Sequence, residues 1–155
     1  AAVGAARRVV VVGPVEVPDG VLRTREDPPF GGPVAAVDAG FAILPDHAAW
    51  TLLLACDLPG AEAGVRQLLR SQPGPDHDGV CLVDDDHRRQ WLLGRYRSEA
   101  LARRLADRGD PPLTAMHRLL GPLNLLGIPA AGWAAVDVDT PADAVRWAAE
   151  LETGR

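Results

Sequence analysis

The sequence predicts a three-layer α/β fold with a mostly parallel central sheet. Short apolar runs alternate with amphipathic segments along the whole chain, as strands and their crossover helices do. The run at residues 51–56 is apolar without period-two alternation, which indicates a strand buried on both faces. No internal repeat or linker divides the 155 residues. We therefore expect residues 1–155 to form a single domain with its own core.

The first half of the chain contains three predicted strands and two predicted helices. Residues 5–12 indicate a helix end running into a buried strand, and residues 21–26 indicate a second, short strand. Glycines and prolines at 28–33 exclude regular structure, and Pro33 suits the first turn of a helix over 34–44. The strand at 51–56 and an amphipathic helix at 61–71 follow.

The second half begins with a predicted hairpin. Strands at 79–83 and 90–96 flank a polar tip at 84–87, whose acidic residues we interpret as solvated rather than metal-binding. Ser98 suits the N-cap of a surface helix over 98–108. A short helix at 113–120 and strands at 123–128 and 136–138 come next. Thr140, Pro141 and Asp143 form a capping box for a final helix that ends near residue 152.

Composition narrows the class of protein. The net charge is −5, from 16 basic residues, all of them Arg, and 21 acidic ones, which argues against a nucleic-acid binder with a basic face. No stretch is long and apolar enough to span a membrane, and no signal-peptide pattern is present. Cys56 and Cys81 lie in apolar runs and are predicted to be reduced core residues. We expect a cytoplasmic protein, either a monomer or a weak homo-oligomer.

Two acids and one turn are candidates for chemistry. Asp57 ends the buried strand, where a carboxylate is costly unless it is paired or holds a cation. Ligands of open α/β sheets bind at the carboxyl ends of strands, although Asp57 could instead cap the following helix. Asp139 stands just outside the capped final helix and either points into a site or simply precedes that helix. The turn at Gly32-Pro33 either offers backbone N–H groups to a ligand or is a tight loop without one.

Four stretches together resemble a known family. They are residues 25–36 (REDPPFGGPVAA), 52–59 (LLLACDLP), 89–101 (RQWLLGRYRSEAL) and 136–144 (VDVDTPADA). In this order and spacing they resemble the molybdenum cofactor guanylyltransferases and the related MobA-like nucleotidyltransferases. The resemblance implies a Rossmann-like nucleotidyltransferase fold. It also implies an Mg²⁺-dependent enzyme that transfers GMP from GTP to molybdopterin cofactor or a related phosphorylated acceptor and releases pyrophosphate.

The resemblance also implies roles for particular residues. Asp57 matches the main Mg²⁺ ligand, and Asp139 matches the second metal-binding position. Asp27, Gly32 and Pro33 match the region that binds the nucleotide base, where a carboxylate can accept hydrogen bonds from N1 and N2 of guanine. Gln90 matches a polar position of the acceptor site.

One part of the family pattern has no counterpart in the sequence. The family begins with a strand and a Gly-rich loop of the form LAGGxSxRMGxxK, and this chain has neither the loop nor any Lys. We expect a βα unit of about 30 residues to be missing before Ala1. Without it, triphosphate binding is predicted to be impaired and neighbouring strands to have unpaired edges.

Three other hypotheses about the function are compatible with the sequence. A cytidylyltransferase of the same cofactor pathway would use the same two acids. A non-catalytic nucleotidyltransferase-like module, used in regulation or assembly, would agree with the absent loop. A sugar-nucleotide-binding glycosyltransferase ranks lower, because the Asp-x-Asp form at residues 137–139 lies late in the chain and opens a capped helix.

Overall fold

The computed structural model describes residues 6–44, 48–58, 60–107 and 115–131. The strands of this part are β1 (Val10–Val12), β2 (Leu22–Thr24), β3 (Trp50–Leu54), β4 (Gly79–Val83), β5 (Arg89–Arg97) and β6 (Leu125–Pro129). Its helices are α1 (Gly32–Ala42), α2 (Ala61–Arg70), α3 (Ser98–Ala106) and α4 (Met116–Leu120). Each overlaps an element predicted above. The predicted strand at 136–138, Asp139 and the final helix lie outside the described residues.

The described strands form two sheets. β1 and β2 pair in parallel. The larger sheet has the order β3-β5-β4-β6, in which β5 is antiparallel to β3 and to β4, and β6 is parallel to β4. Therefore β3, β4 and β6 point in one direction, and β5 runs the opposite way. The prediction of a mostly parallel sheet is confirmed.

Helices cover both faces of the larger sheet. On one face α1, α3 and α4 pack around Cys81 and Tyr96. On the other face Leu68 of α2 packs with Val80 and Leu82. Val80 and Cys81 are consecutive on β4, so their side chains point to opposite faces. Full burial of one side chain of this size stabilises the folded state by about 1.5–3 kcal/mol. The two clusters, one on each face of the sheet, confirm the three-layer architecture.

The strand β3 differs from its prediction. It pairs with β5 on one side only, and all five of its residues are partly exposed. The prediction of a strand that meets the core on both faces is confirmed, because Leu52 and Leu54 pack against the cluster of Leu68 and Leu53 packs against the cluster of Cys81. The predicted central position is wrong within the described structure, where β3 lies at the end of the strand order and is only partly buried. β1 likewise pairs with a described strand on one edge only. The segment expected before Ala1 stays a prediction.

Two groups of contacts anchor the start of β3. The guanidinium groups of Arg95 and Arg97 lie 4.7 and 4.8 Å from the centre of the Trp50 ring. The hydroxyl oxygens of Thr51 and Ser98 lie 2.8 Å apart and share a hydrogen bond. Ser98 is thus the first residue of α3 and not its N-cap, which is Arg97 and makes no side-chain capping bond. The predicted cap was wrong by one residue, because the hydroxyl bonds across to β3 instead of to its own helix.

A register shift interrupts the ladder between β4 and β5. Cys81 pairs with Gly94, whereas the next residue, Leu82, pairs with Gln90. Residues 91–93 therefore have no partner on β4 and form a bulge in β5. Such bulges redirect side chains next to binding sites, and this one lies beside the carboxyl end of β3.

The entry to α1 depends on a close approach of two backbone segments. Gly31 is buried, and a Cβ atom there would lie 2.8 Å from the Cβ of Ala35 and 3.2 Å from the carbonyl oxygen of Pro28. Gly32 has a φ of 83°, which favours glycine, and Pro33 occupies the first turn of the helix as predicted. No other residue type would meet both requirements of this Gly-Gly-Pro turn without strain.

The two cysteines have different environments. Cys81 is buried in the sheet, whereas Cys56 is exposed, and both thiols are free. The prediction of a core position is confirmed for Cys81 and wrong for Cys56, which lies in the turn after β3. Among the helices that the structure describes, we find none of the length and apolarity needed to cross a bilayer.

Candidate functional site

The chain turns away from the sheet directly after β3. The ladder continues for one residue, because the backbone N–H of Ala55 donates to the carbonyl oxygen of Leu92 across 2.8 Å. Cys56 and Asp57 then form a turn, and Leu58, only 8% exposed, returns to the core. This geometry places Asp57 at the carboxyl end of β3 with its side chain exposed.

The Asp57 carboxylate is unengaged within the described part of the chain. No hydrogen bond or ion pair from those residues reaches it. The helix that follows begins at Ala61, its N-cap is Gly60, and no side chain caps it. The alternative in which Asp57 merely caps this helix is therefore wrong.

A cavity of about 240 Å³ opens beside Asp57. Its polar lining comes from Asp57, Arg89 and Gln90, and its apolar lining from Ala55, Leu58, Trp91, Leu92 and Met116. Sites for whole drug-sized ligands usually measure about 300–1,000 Å³. The cavity is therefore smaller than the usual site of a whole ligand of nucleotide size.

Gln90 is held by the tip of the β4–β5 hairpin. Its Nε2 donates to Oδ2 of Asp84 across 2.8 Å. The other carboxylate oxygen of Asp84 accepts a hydrogen bond of 2.8 Å from the backbone N–H of Arg88. Asp84 thus stabilises the hairpin turn and fixes the direction of the Gln90 amide at the edge of the cavity.

Buried groups of β4 and β5 lie close to the cavity. The Tyr96 hydroxyl donates to the carbonyl oxygen of Trp91 across 2.7 Å and so braces the bulge from the core side. Burial raises the pKa of Tyr96 well above its usual range, and it also raises the pKa of the Cys81 thiol. The positive charge of Arg89 acts on both groups and opposes these pKa shifts in part.

The predicted base-binding residues form a separate loop. Asp27 is exposed and makes no hydrogen bond or ion pair to the described residues. Next to it, an Oε1 atom of Glu26 accepts a 3.1 Å hydrogen bond from the backbone N–H of Phe30 and so closes the loop before α1. Asp27, Gly32 and Pro33 are not among the residues lining the cavity.

Whether Mg²⁺ can bind beside the cavity depends on the side chains that could act as its ligands. Residues 6–44, 48–58, 60–107 and 115–131 contain no group of three or more His, Cys, Asp or Glu side chains arranged so that they could hold a metal ion. Mg²⁺, however, is commonly held by one or two carboxylates together with substrate phosphates and water. The exposed, unengaged Asp57 carboxylate beside the cavity fits that requirement. The second predicted ligand, Asp139, lies outside the described residues.

Sequence reasoning singled out Asp57 and Gln90, and the structure places both in the lining of one cavity. It assigned no role to Arg89 or Trp91. Their signal was present, because an Arg and an aromatic residue two positions apart at the start of a strand point to the same side. The sequence did not predict the bulge at residues 91–93, which lies where Arg89, Gln90 and Trp91 line the cavity together with Asp57.

Comparisons with known proteins identify the family and the fold of the chain. The model of the MobA-like NTP transferase domain family matches residues 1–124, a range that contains Asp27, Asp57 and Gln90 and ends before Asp139. A solved structure, the molybdopterin-guanine dinucleotide biosynthesis protein A of Archaeoglobus fulgidus, is similar with a TM-score of 0.63 and 17% identity. The similarity covers 87% of this chain and 70% of that chain, and it shows a shared fold. No curated protein matches the sequence.

Proposed function

Since the chain belongs to the MobA-like NTP transferase domain family and is a nucleotidyltransferase, we propose that it transfers GMP from GTP to molybdopterin cofactor or a related phosphorylated acceptor. The observation that carries the proposal is the unengaged Asp57 carboxylate at the carboxyl end of β3, beside a cavity that Gln90 also lines. The name of the similar archaeal protein supports the choice of acceptor.

The proposed reaction forms one phosphorus–oxygen bond and breaks another. An oxygen of the acceptor phosphate attacks the α-phosphorus of GTP and forms a new P–O–P linkage. The bond from the α-phosphorus to the oxygen that bridges to the β-phosphorus breaks, and pyrophosphate leaves with that bonding pair. No proton transfer is needed at the attacking oxygen when the acceptor phosphate is ionised. The protein therefore contributes mainly positioning and charge compensation.

Asp57 would hold Mg²⁺ in this reaction, and Asp139 would supply a second carboxylate. When bound, Mg²⁺ neutralises charge on the phosphates and polarises the α-phosphoryl group. Gln90, whose amide is fixed by Asp84, would donate to or accept from a polar group of the acceptor. The apolar residues of the cavity would limit the access of water, which competes with the acceptor as a nucleophile.

Asp27 would select the base. Its carboxylate has no partner in the described residues, so both oxygens are available to accept hydrogen bonds. Guanine presents N1–H and an N2 amino group side by side, whereas cytosine presents no such pair of donors. This chemistry favours GTP over CTP.

The test compares the two triphosphates in the full-length protein. Pyrophosphate release is measured with Mg²⁺, molybdopterin and either GTP or CTP. The proposal predicts release that requires the acceptor and is at least about tenfold faster with GTP at subsaturating concentration, equivalent to about 1.4 kcal/mol of discrimination. Faster release with CTP would support the cytidylyltransferase alternative. Absence of release with either triphosphate would support the non-catalytic module.

We further propose a cytoplasmic location and a monomeric or weakly self-associating state. The free Cys56 and Cys81 thiols support a reducing compartment. The acidic net charge of −5 supports small-molecule rather than nucleic-acid partners.

A further inference from the structure

Arg89 is a cation without an acidic partner at the edge of the candidate site. It is the first residue of β5, it is exposed, and it lines the same cavity as Asp57. No carboxylate within the described ranges forms an ion pair with it. Its hydrogen bond to the protein is a long one, 3.5 Å from Nη2 to the carbonyl oxygen of Leu125.

Other arginines of the structure are more firmly engaged. Arg66 and Arg103 pair with glutamates one helical turn away. Arg95 and Arg97 each donate to a backbone carbonyl oxygen across 2.9 Å. Arg89 therefore keeps most of its five N–H donors available for a ligand.

The aromatic ring of Trp91 restrains the position of Arg89. The guanidinium carbon lies 5.8 Å from the ring centre, within the range of a cation–π contact. Trp91 is in turn part of the bulge that Tyr96 braces through its hydroxyl group. Because Trp91 is partly buried and packs against the cluster around Cys81 and Tyr96, its contact with Arg89 restrains that side chain, which then loses less entropy on binding a ligand than an unsupported surface arginine would.

The proposed reaction creates a need for such a cation. Its two reacting groups, the acceptor phosphate and the triphosphate, both carry negative charge, and Asp57 adds a further one. A guanidinium group binds a phosphate through two parallel charge-assisted hydrogen bonds, which both attracts and orients it. Of the residues that line the cavity, Arg89 is the cationic one.

We propose that Arg89 binds the phosphate monoester group of the acceptor in the cavity that it lines together with Asp57, with Trp91 supporting its guanidinium group. This inference rests on the proposed function. It adds the residue that selects a phosphorylated acceptor and brings its attacking oxygen toward the nucleotide.

Binding of phenyl phosphate, a simple monoester, tests the inference without turnover. Calorimetric titration of the full-length protein is compared with Arg89→Gln, Arg89→Lys and the control Arg88→Gln. Arg88 is the neighbouring exposed arginine, it faces Asp86 at 3.7 Å, and it does not line the cavity. The dissociation constant is expected to rise at least about tenfold in Arg89→Gln, to rise less in Arg89→Lys, and to stay within about twofold in Arg88→Gln. Circular dichroism verifies that the variants are folded.

Three results would overturn the inference: no binding by the unsubstituted protein, unchanged binding in Arg89→Gln, or equal weakening in Arg88→Gln, which would indicate general surface attraction. The outcome is separable from that of the proposed function. Phosphate binding through Arg89 without nucleotidyl transfer would contradict only the proposed function. Nucleotidyl transfer with an unchanged KM for the acceptor in Arg89→Gln would contradict only this inference.

Discussion

The backbone N–H of Ala55 donates to the carbonyl oxygen of Leu92, 2.8 Å away, beyond the last residue of β3. This bond joins the segment that carries Asp57 to the bulge of β5 that carries Trp91. Two parts of the chain that are distant in sequence thus meet at one cavity, and the bond fixes their relative position.

The first prediction concerns the Asp57 carboxylate. Asp57→Asn keeps the size of the side chain but removes the charge that Mg²⁺ requires. Nucleotidyl transfer in the full-length protein should fall on the order of 100-fold or more, with the unfolding midpoint unchanged because the side chain is exposed. Asp85→Asn, at the exposed hairpin tip, is the matched control. Wild-type rates in Asp57→Asn would remove this residue from the mechanism.

A second prediction concerns base selection by Asp27. In Asp27→Asn, an NH₂ group replaces one acceptor oxygen. This group would face an N–H donor of guanine, with which it cannot form a hydrogen bond. The KM for GTP should rise about ten- to a hundredfold, in line with the discrimination of a bidentate base contact, while the KM for CTP should stay unchanged. Asp19→Asn, another exposed acid, serves as the control. Equal effects on both triphosphates would show that Asp27 does not read the base.

The Gly31 turn supports a third prediction, on stability. In Gly31→Ala the new Cβ would lie 2.8 Å from the Cβ of Ala35, so α1 or the preceding loop must shift. The free energy of unfolding, measured with urea, should fall by about 1–3 kcal/mol. In Gly74→Ala the nearest atom is 3.5 Å away, and the change should stay within about 0.5 kcal/mol. Similar values for the two variants would contradict the close approach.

Alkaline pH provides a fourth prediction, through Tyr96. Because burial raises its pKa, the folded state keeps the phenol proton at a pH where the unfolded chain releases it. The stabilisation is fully present below about pH 10, the usual pKa of tyrosine, and it decreases as the pH rises further. Tyr96→Phe should lose about 1–3 kcal/mol at pH 7, because the Trp91 carbonyl loses its donor.

Between pH 9 and pH 11 the unfolding free energy of Tyr96→Phe should therefore decline less steeply than that of the unsubstituted protein. Urea unfolding at several pH values measures both slopes. Cys81, whose pKa is also raised by burial, contributes a decline of the same sign in both proteins. Parallel declines would show that the Tyr96 phenol ionises as readily in the folded state as in the unfolded state.

Much of the fold was accessible to sequence reasoning because its boundaries have local causes. The Gly-Gly-Pro turn begins α1, and the polar residues 84–87 form the tip between β4 and β5. The pairing of β3 with β5 was not accessible. It places a later strand between β3 and β4, which depends on tertiary contacts rather than on any local pattern. For the same reason the exposure of β3 and Cys56 was mispredicted from their apolar surroundings.

In the candidate site, too, the sequence identified some residues and missed others. Asp57 was identifiable because a carboxylate at the end of an apolar run is unusual wherever it occurs. Arg89 was not, because its significance arises from a three-residue register shift that no periodicity reveals. Residue identity thus indicated Asp57, whereas the contribution of Arg89 and Trp91 to the same cavity required the structure.

The most direct test of the central claim is a crystal structure of the full-length protein with GTP and Mn²⁺, a substitute for Mg²⁺ that is located by its anomalous scattering. The prediction is an ion about 2.0–2.2 Å from an Asp57 carboxylate oxygen, with an oxygen of the α-phosphate bound to the same ion. A structure in which the ion and the triphosphate bind while the Asp57 side chain remains in solvent would contradict it.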